Sequence, residues 1–70
     1  MQFVVLIEKT NTGYSAHVPD LPGCVAAAST LAETEELIQS AVDFHVEGMR
    51  QHGEHIPQPN SYVGYVEVNA

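Results

Sequence analysis

The segment Val18–Cys24, with the sequence VPDLPGC, is the feature that most restricts how this chain of 70 residues can fold. Its two prolines, Pro19 and Pro22, fix φ at about −65° and lack a backbone N–H, so the segment cannot belong to a central strand. Asp20 can accept hydrogen bonds from nearby backbone N–H groups, and Gly23 can adopt the positive φ of a tight turn. We therefore predict a rigid structural corner, made by Pro19, Asp20, Pro22 and Gly23, between two extended elements.

Alternating apolar residues predict strands on both sides of this corner. Residues 2–8 carry apolar and β-branched side chains on both faces, which is typical of a strand covered on two sides. A turn signal at residues 11–13 precedes a half-buried strand at residues 14–18, so we expect these two strands to form an antiparallel hairpin. The short apolar segment 24–28 lies between turn residues and predicts a third strand.

A long amphipathic helix is predicted from Leu31 to about His52. Thr30 and Glu33 have the spacing of a capping box, in which the two side chains satisfy backbone N–H groups at the helix start. Gly53 suits the left-handed position that ends many helices. The helical period assigns one apolar face, which consists of Leu31, Thr34, Leu37, Ile38, Ala41, Val42, His45, Gly48 and Met49. The opposite, acid-rich face is expected to be exposed to solvent.

Residues 61–68 alternate again after a proline-containing connector and predict a fourth strand. We expect one of its faces to pack on the helix, namely Tyr62, Gly64, Val66 and Val68. Val63 and Tyr65 on the other face have no element left to cover them, so we predict an oligomer interface there. The predicted fold class is α+β, in the order β-β-β-α-β, with an antiparallel-rich sheet packed on one long helix.

The formal charge of −7, from nine acids against Lys9 and Arg50, restricts the class of partner. Nucleic-acid binding needs cations that displace the counterions of the phosphates, so direct binding to DNA or RNA is not expected. A basic protein is the natural complement of such a surface. Composition alone favours the simpler interpretation, in which the acidity only keeps a small protein soluble.

Size and hydropathy suggest a small cytoplasmic protein that associates. One domain of this length has a marginal core, and such scaffolds often reach stability by forming oligomers. The single cysteine excludes an internal disulfide. The N-terminal apolar segment, residues 3–7, is too short for a membrane span or a signal peptide, so we expect no membrane association.

The residues with reactive side chains do not form a recognisable catalytic or metal-binding pattern. Cys24 could act as a nucleophile with His17 or His45 as base, but a small core residue is the simpler interpretation. The four histidines lack the spacing of a convergent zinc site. The acids of the predicted strands lie at strand ends, which does not suit two-metal nuclease chemistry. We therefore predict no enzyme activity, no catalytic or metal-binding residues and no cofactor.

Several segments together resemble the HicB-like antitoxin domain. They are Gly13-Tyr14, the corner VPDLPGC, Thr30-Leu31 at the helix start, FHVEGM at residues 44–49 and GEHIP at residues 53–57. Their order and spacing, more than any one of them, carry the resemblance, which extends over about residues 2–60. It implies a partial RNase H-like fold and the role of antitoxin in a type II toxin–antitoxin pair.

The usual partner of such a domain is HicA, a small basic protein with a double-stranded-RNA-binding-like fold that cleaves messenger RNA. The resemblance therefore predicts that this chain binds and neutralises a HicA-like toxin by occluding its RNA surface. The predicted contact is the acidic side of the helix, which carries Glu33, Glu36, Asp43 and Glu47. An alternative is a stand-alone oligomeric interaction or ligand-sensing module of the same fold without a toxin partner.

Members of this family often carry a helix-turn-helix or ribbon-helix-helix DNA-binding domain after the HicB-like unit. We expect residues 1–70 to form a single HicB-like domain without that C-terminal domain, and to associate as a homo-oligomer, a dimer or tetramer.

Overall fold

The computed structural model describes all residues from Met1 to Ala70 and contains three strands followed by one helix. Their bounds are Leu6–Lys9 for β1, Tyr14–His17 for β2, Val25–Ala28 for β3 and Leu31–Gln51 for α1. The strands form an antiparallel sheet in the order β1-β2-β3, in which Ala16 lies opposite both Ile7 and Ala26. α1 packs across β2 and β3 on one face of the sheet. The α+β prediction is confirmed.

The corner after β2 is closed by backbone hydrogen bonds. The Val18 N–H donates to the Cys24 carbonyl at 3.2 Å, and the Leu21 N–H donates to the Val18 carbonyl at 3.1 Å. Gly23 has a φ of 84°, in the left-handed region that its sequence position predicted. This geometry turns Leu21 inward, where only 1% of its surface remains exposed.

The corner supplies much of the hydrophobic core. Five apolar residues are buried: Ala16, Val18, Leu21, Cys24 and Ile38. Three of them belong to the corner, one to β2 and one to α1. Partly buried side chains from the segment before β1 and from the three elements β1, β3 and α1 surround them: Phe3, Val5, Ile7, Ala26, Ala41, Val42 and Val46. The predicted rigid corner is therefore also the centre of the packing.

β1 is shorter than predicted, because its partner turns away. The chain leaves β2 at Val18 to form the corner, so residues 2–5 have no strand beside them. Phe3, Val5 and Ile7 pack on the core as the alternation predicts. The other face carries Leu6, which is 46% exposed, since no layer covers it. The prediction of a strand covered on both sides is wrong for this single chain.

Gly13 allows the hairpin turn to lie directly against the junction between β3 and α1. A Cβ atom at this position would overlap the Ala28 carbonyl oxygen and lie 2.7 Å from the Ser29 Cα. The turn itself is closed by the Thr10 N–H, which donates to the Gly13 carbonyl at 2.8 Å. The close approach, and not a positive φ, explains the need for glycine here.

α1 begins and ends as the sequence predicts. The Glu33 N–H donates to the Thr30 hydroxyl oxygen at 3.1 Å, and the Thr30 hydroxyl donates to the Glu33 carboxylate at 2.9 Å. The Glu33 carboxylate therefore accepts from the Thr30 hydroxyl. In a full capping box it would accept from the Thr30 backbone N–H. At the other end Gly53 has a φ of 67°, and the Glu54 N–H donates to the Met49 carbonyl at 2.8 Å, which forms a Schellman motif. The helix does not combine the length and hydrophobicity that crossing a membrane requires.

The buried face of α1 is rotated relative to the predicted one. Thr34 and Ile38 are buried and Val46 packs on the core, whereas Leu31 and Leu37 remain 45% and 48% exposed. The buried Thr34 hydroxyl is satisfied because it donates to the Thr30 carbonyl at 2.8 Å. The helix lies over β2 and β3 and is displaced from β1, so the edges of its apolar stripe emerge at the surface.

The predicted fourth strand does not form, and the observed order is β-β-β-α. Residues 61–68, called the arm below, have no strand partner and both of their faces are exposed. Tyr62 and Val66, which were expected to pack on the helix, are 91% and 90% exposed. The radius of gyration is 13.9 Å, whereas a compact domain of this size has about 11 Å. The arm therefore projects from the body of the domain.

Candidate partner-binding surface

One side of α1 carries a continuous group of exposed acids. Glu33, Glu36, Asp43 and Glu47 are all exposed and are called the acidic face below. At about 100° per residue, their positions fall within an arc of roughly 80° around the helix axis. The capped helix carries the four carboxylates on one side between residues 33 and 47. The structure thus brings together all four acids that the sequence assigned to partner binding.

The charge of the acidic face is only weakly compensated. Glu47 has one cation nearby, Arg50, at 3.9 Å, and both side chains are mostly exposed. Exposed pairs of this kind contribute little, since water and salt screen them. Glu33 serves the helix cap, and Asp43 accepts from a glutamine one turn earlier at 3.2 Å. Glu36 has no hydrogen bond or ion pair to another side chain.

An exposed aromatic side chain lies beside the acidic face. Phe44 is 82% exposed and follows Asp43 directly, and Leu37, two turns earlier on the same side, is 48% exposed. The sequence analysis did not single out Phe44. Its seven-residue spacing from Leu37 was the available signal, because residues seven apart lie on one side of a helix. The surface therefore combines negative charge with an apolar edge formed by Phe44 and Leu37.

The arm begins at a second polar feature, the carboxylate of Asp20. Its Oδ2 accepts from the N–H groups of Asn60 and Ser61 at 3.0 and 3.1 Å, and its Oδ1 accepts from the Ser61 hydroxyl at 3.0 Å. These donors lower the pKa of Asp20, chiefly through the Asn60 N–H. The prediction that Asp20 would bind its own turn is wrong. It ties the corner to a segment 40 residues away.

The remaining predicted site residues are exposed. Pro19 and Pro22 lie at the surface of the corner and flank the buried Leu21. Val63 and Tyr65, assigned to an oligomer interface, are 61% and 93% exposed. The base of the arm, Ser61 to Val63, borders the same groove as Asp43 and Glu47. Part of each predicted binding region, Asp43 and Glu47 on the helix and Val63 on the arm, thus borders one groove.

Cys24 is a core residue. The thiol is buried among apolar side chains, and burial raises its pKa above the ordinary value. A protonated, inaccessible thiol is a poor nucleophile. No group of three or more histidine, cysteine, aspartate or glutamate side chains has a geometry that could hold a metal ion.

Comparison with known proteins agrees with these features. The sequence model of the HicB-like antitoxins of bacterial toxin–antitoxin systems matches residues 3–69. An uncharacterised 14.9 kDa protein of Haemophilus phage HP1 is 41% identical over 66 residues, which are 94% of this chain and 50% of the phage protein. This chain therefore spans half the length of that relative. A UPF0150 protein of Thermoplasma acidophilum is 36% identical over 62 residues, which are 87% of this chain and 90% of the archaeal protein.

Among solved structures, a chain of the HicA3 and HicB3 toxin–antitoxin complex is similar. The TM-score is 0.71 at 28% sequence identity, and the match covers 84% of this chain and 70% of that chain. The sequence match and the fold agree with the corner and helix motifs on which the resemblance was based. The chain belongs to the HicB-like antitoxin family of bacterial toxin–antitoxin systems.

Proposed function

We propose that this protein is an antitoxin that binds a basic, HicA-like, mRNA-cleaving toxin and neutralises it by covering the toxin's RNA-binding surface. The observation that carries the proposal is the acidic face of α1 with Phe44 exposed beside it. The family and the similarity to a HicA–HicB complex support a partner of this kind. The proposed mechanism needs no catalytic group or cofactor on the antitoxin.

The electrostatic part of the proposal follows from what RNA binding requires. A ribonuclease that holds RNA needs cationic side chains on its binding surface, since neutralising phosphates supplies much of the affinity. The chain has a formal charge of −7 and presents four of its acids along α1. Opposite fields speed the encounter and set the orientation of the complex. RNA and the acidic face would then compete for the same cations.

Phe44 would supply the short-range part of the binding free energy. Aromatic side chains at the centre of an interface often dominate its energetics, because they bury a large area with few rotamers to fix. An aromatic side chain that is 82% exposed makes little contribution to the fold of this chain. We therefore expect Phe44 to occupy an apolar depression on the toxin beside the cations that meet the acidic face.

The test is the rate of complex formation with a HicA-like toxin. Glu36→Lys with Asp43→Lys should slow association about 10-fold at low salt and weaken its salt dependence. The control is Glu8→Lys with Glu54→Lys, which makes the same change in net charge at exposed positions away from the acidic face. Equal association rates for the two variants would remove the acidic face from the mechanism.

A second variant separates charge from shape. Phe44→Ala should raise the dissociation constant about 30-fold through faster dissociation, with little effect on the association rate. Its free energy of unfolding should equal that of the unmodified chain, because the side chain lies outside the core. A growth-rescue assay with co-expressed toxin reports whether the lost affinity also releases toxicity.

A further inference from the structure

An open groove lies between the N-terminal segment and α1. Its volume is about 1010 Å³, with residues 1–5 on one side and α1 on the other. Tyr62 and Val63 border it but remain 91% and 61% exposed, so the chain does not fill its own groove. The groove is therefore accessible to another molecule.

The lining of the groove combines apolar side chains with acids. Phe3, Val42 and Val46 line it and are partly buried against the core. The charged side chains of the lining are three acids and one cation, namely Glu35, Asp43, Glu47 and Arg50. An apolar base with exposed carboxylates beside it suits long cationic side chains, because their aliphatic stems cover apolar surface while the charged end stays at the edge.

The backbone on the other side of the groove is also unpaired. Residues 2–5 lead into β1, which is an edge strand of the sheet. They take part in no backbone–backbone hydrogen bond. An edge of this kind favours pairing with an added strand, and many proteins bind extended peptides in this way.

The spacing of the acids matches that of an extended peptide. Glu35, Asp43 and Glu47 are separated by multiples of four residues on α1, and each four-residue step is about 6 Å along the helix axis. Alternate side chains of a strand point to the same side at intervals of about 6.6 Å. The distance from Glu35 to Glu47 along the axis is about 18 Å, which corresponds to five or six extended residues.

We propose that this groove binds an extended basic segment of a protein partner. The segment pairs with residues 2–5 as an added strand and directs alternate arginine or lysine side chains toward Glu35, Asp43 and Glu47. Charge favours such a partner over the chain's own arm, whose single charged residue is Glu67. The site goes beyond the proposed function, because Glu35 and the backbone edge lie outside the acidic face and the partner need not be a toxin.

The first experiment measures binding of a fluorescently labelled hexapeptide in which arginine alternates with threonine. We expect it to bind at least about 10-fold more tightly than a peptide with the same residues in two blocks, since only alternation places all three guanidinium groups on one side. Fluorescence anisotropy measures both dissociation constants. Equal affinities, or no binding of the alternating peptide, would overturn the proposal.

A matched pair of protein variants locates the bound peptide. Glu35→Lys with Gln39→Lys, both in the groove lining, should weaken binding of the alternating peptide about 10-fold. The control is Glu36→Lys with Ser40→Lys, which makes the same change in net charge at exposed positions that do not line the groove. Equal weakening by the two variants would show attraction to the whole chain and contradict a site in the groove.

The second experiment tests the backbone pairing. In an antiparallel pair, alternate residues of a strand direct their N–H and C=O groups toward the neighbouring strand. Two alternating peptides are therefore compared, one N-methylated at every arginine and the other at every threonine. We expect one of them to lose binding and the other to retain it. Loss in both peptides, or in neither, would contradict an added strand.

Discussion

In the corner at residues 18–24, Val18, Leu21 and Cys24 are at most 3% exposed, whereas the large side chains named in the arm are between 61% and 93% exposed. Both segments are rich in apolar residues, and the sequence of each favours an extended backbone. The corner closes its own backbone with hydrogen bonds and lies under α1, so its side chains point into a core. The arm has neither backbone–backbone hydrogen bonds nor a helix that covers it. An apolar sequence pattern therefore leads to burial only where the chain also supplies a surface for those side chains to pack against.

The largest expected effect tests the corner. Leu21→Ala should lower the free energy of unfolding by about 3 kcal/mol, because it leaves a cavity at a fully buried position. Urea denaturation of dilute protein measures it. Tyr65→Ala is the matched change in the arm and should shift the stability of the single chain by no more than about 0.5 kcal/mol. Equal losses of unfolding free energy in the two variants would mean that the corner and the arm contribute equally to the stability of the single chain.

The next effect tests how closely the body is packed. Gly13→Ala should cost about 2 kcal/mol, because the added methyl group meets the Ala28 carbonyl and the Ser29 backbone. Thermal unfolding followed by circular dichroism measures the loss. Gly64→Ala in the arm is the control, since nothing lies within 4 Å of it. A silent Gly13→Ala would show that the hairpin turn does not rest on the β3–α1 junction.

A smaller effect is expected at the start of α1. Thr30→Ala should cost about 1 kcal/mol, since the Glu33 N–H loses its acceptor. Ser29→Ala is the neighbouring control, because its hydroxyl reaches Glu33 only at 3.4 Å. Chemical denaturation of the two variants under one set of conditions separates them. The same loss in both would argue against Thr30 as the cap.

The smallest effect concerns the junction between corner and arm. The pKa of Asp20 is lowered in the folded chain, so its contribution to stability is present above the unfolded pKa of about 4 and is lost as pH falls through the folded value. Asp20→Asn should therefore be less stable than the unmodified chain at neutral pH, and the difference should vanish in acid. Unfolding curves at several pH values measure this. A difference that persists unchanged in acid would contradict an ionised contact.

The sequence predicted those parts of the fold that depend on local chemistry. The corner prolines, Gly23 and Gly53 specify turns through backbone geometry, and the Thr30–Glu33 spacing specifies the helix start. It could not predict the target of Asp20, because a carboxylate accepts from any donor in reach and the donors lie 40 residues away. It also placed a strand at residues 61–68, since alternation shows a suitable pattern but not the presence of a partner.

The acidic face was predictable for a similar reason. Helical period alone places Glu33, Glu36, Asp43 and Glu47 on one side, and the structure has them there. Phe44 was missed because the extent of exposure depends on how α1 sits on the sheet. The displacement of α1 away from β1 determines that orientation. The seven-residue spacing from Leu37 shows that both residues share a side of the helix but not that this side is exposed.

The most direct test of the account is an RNA-cleavage titration with a HicA-like toxin. Unmodified protein should abolish cleavage at stoichiometric amounts, with inhibition that excess RNA relieves by competition. Glu36→Lys with Asp43→Lys should require a large excess for the same inhibition. Full inhibition by that variant at the stoichiometric point, or binding that leaves RNA cleavage unchanged, would contradict neutralisation through the acidic face.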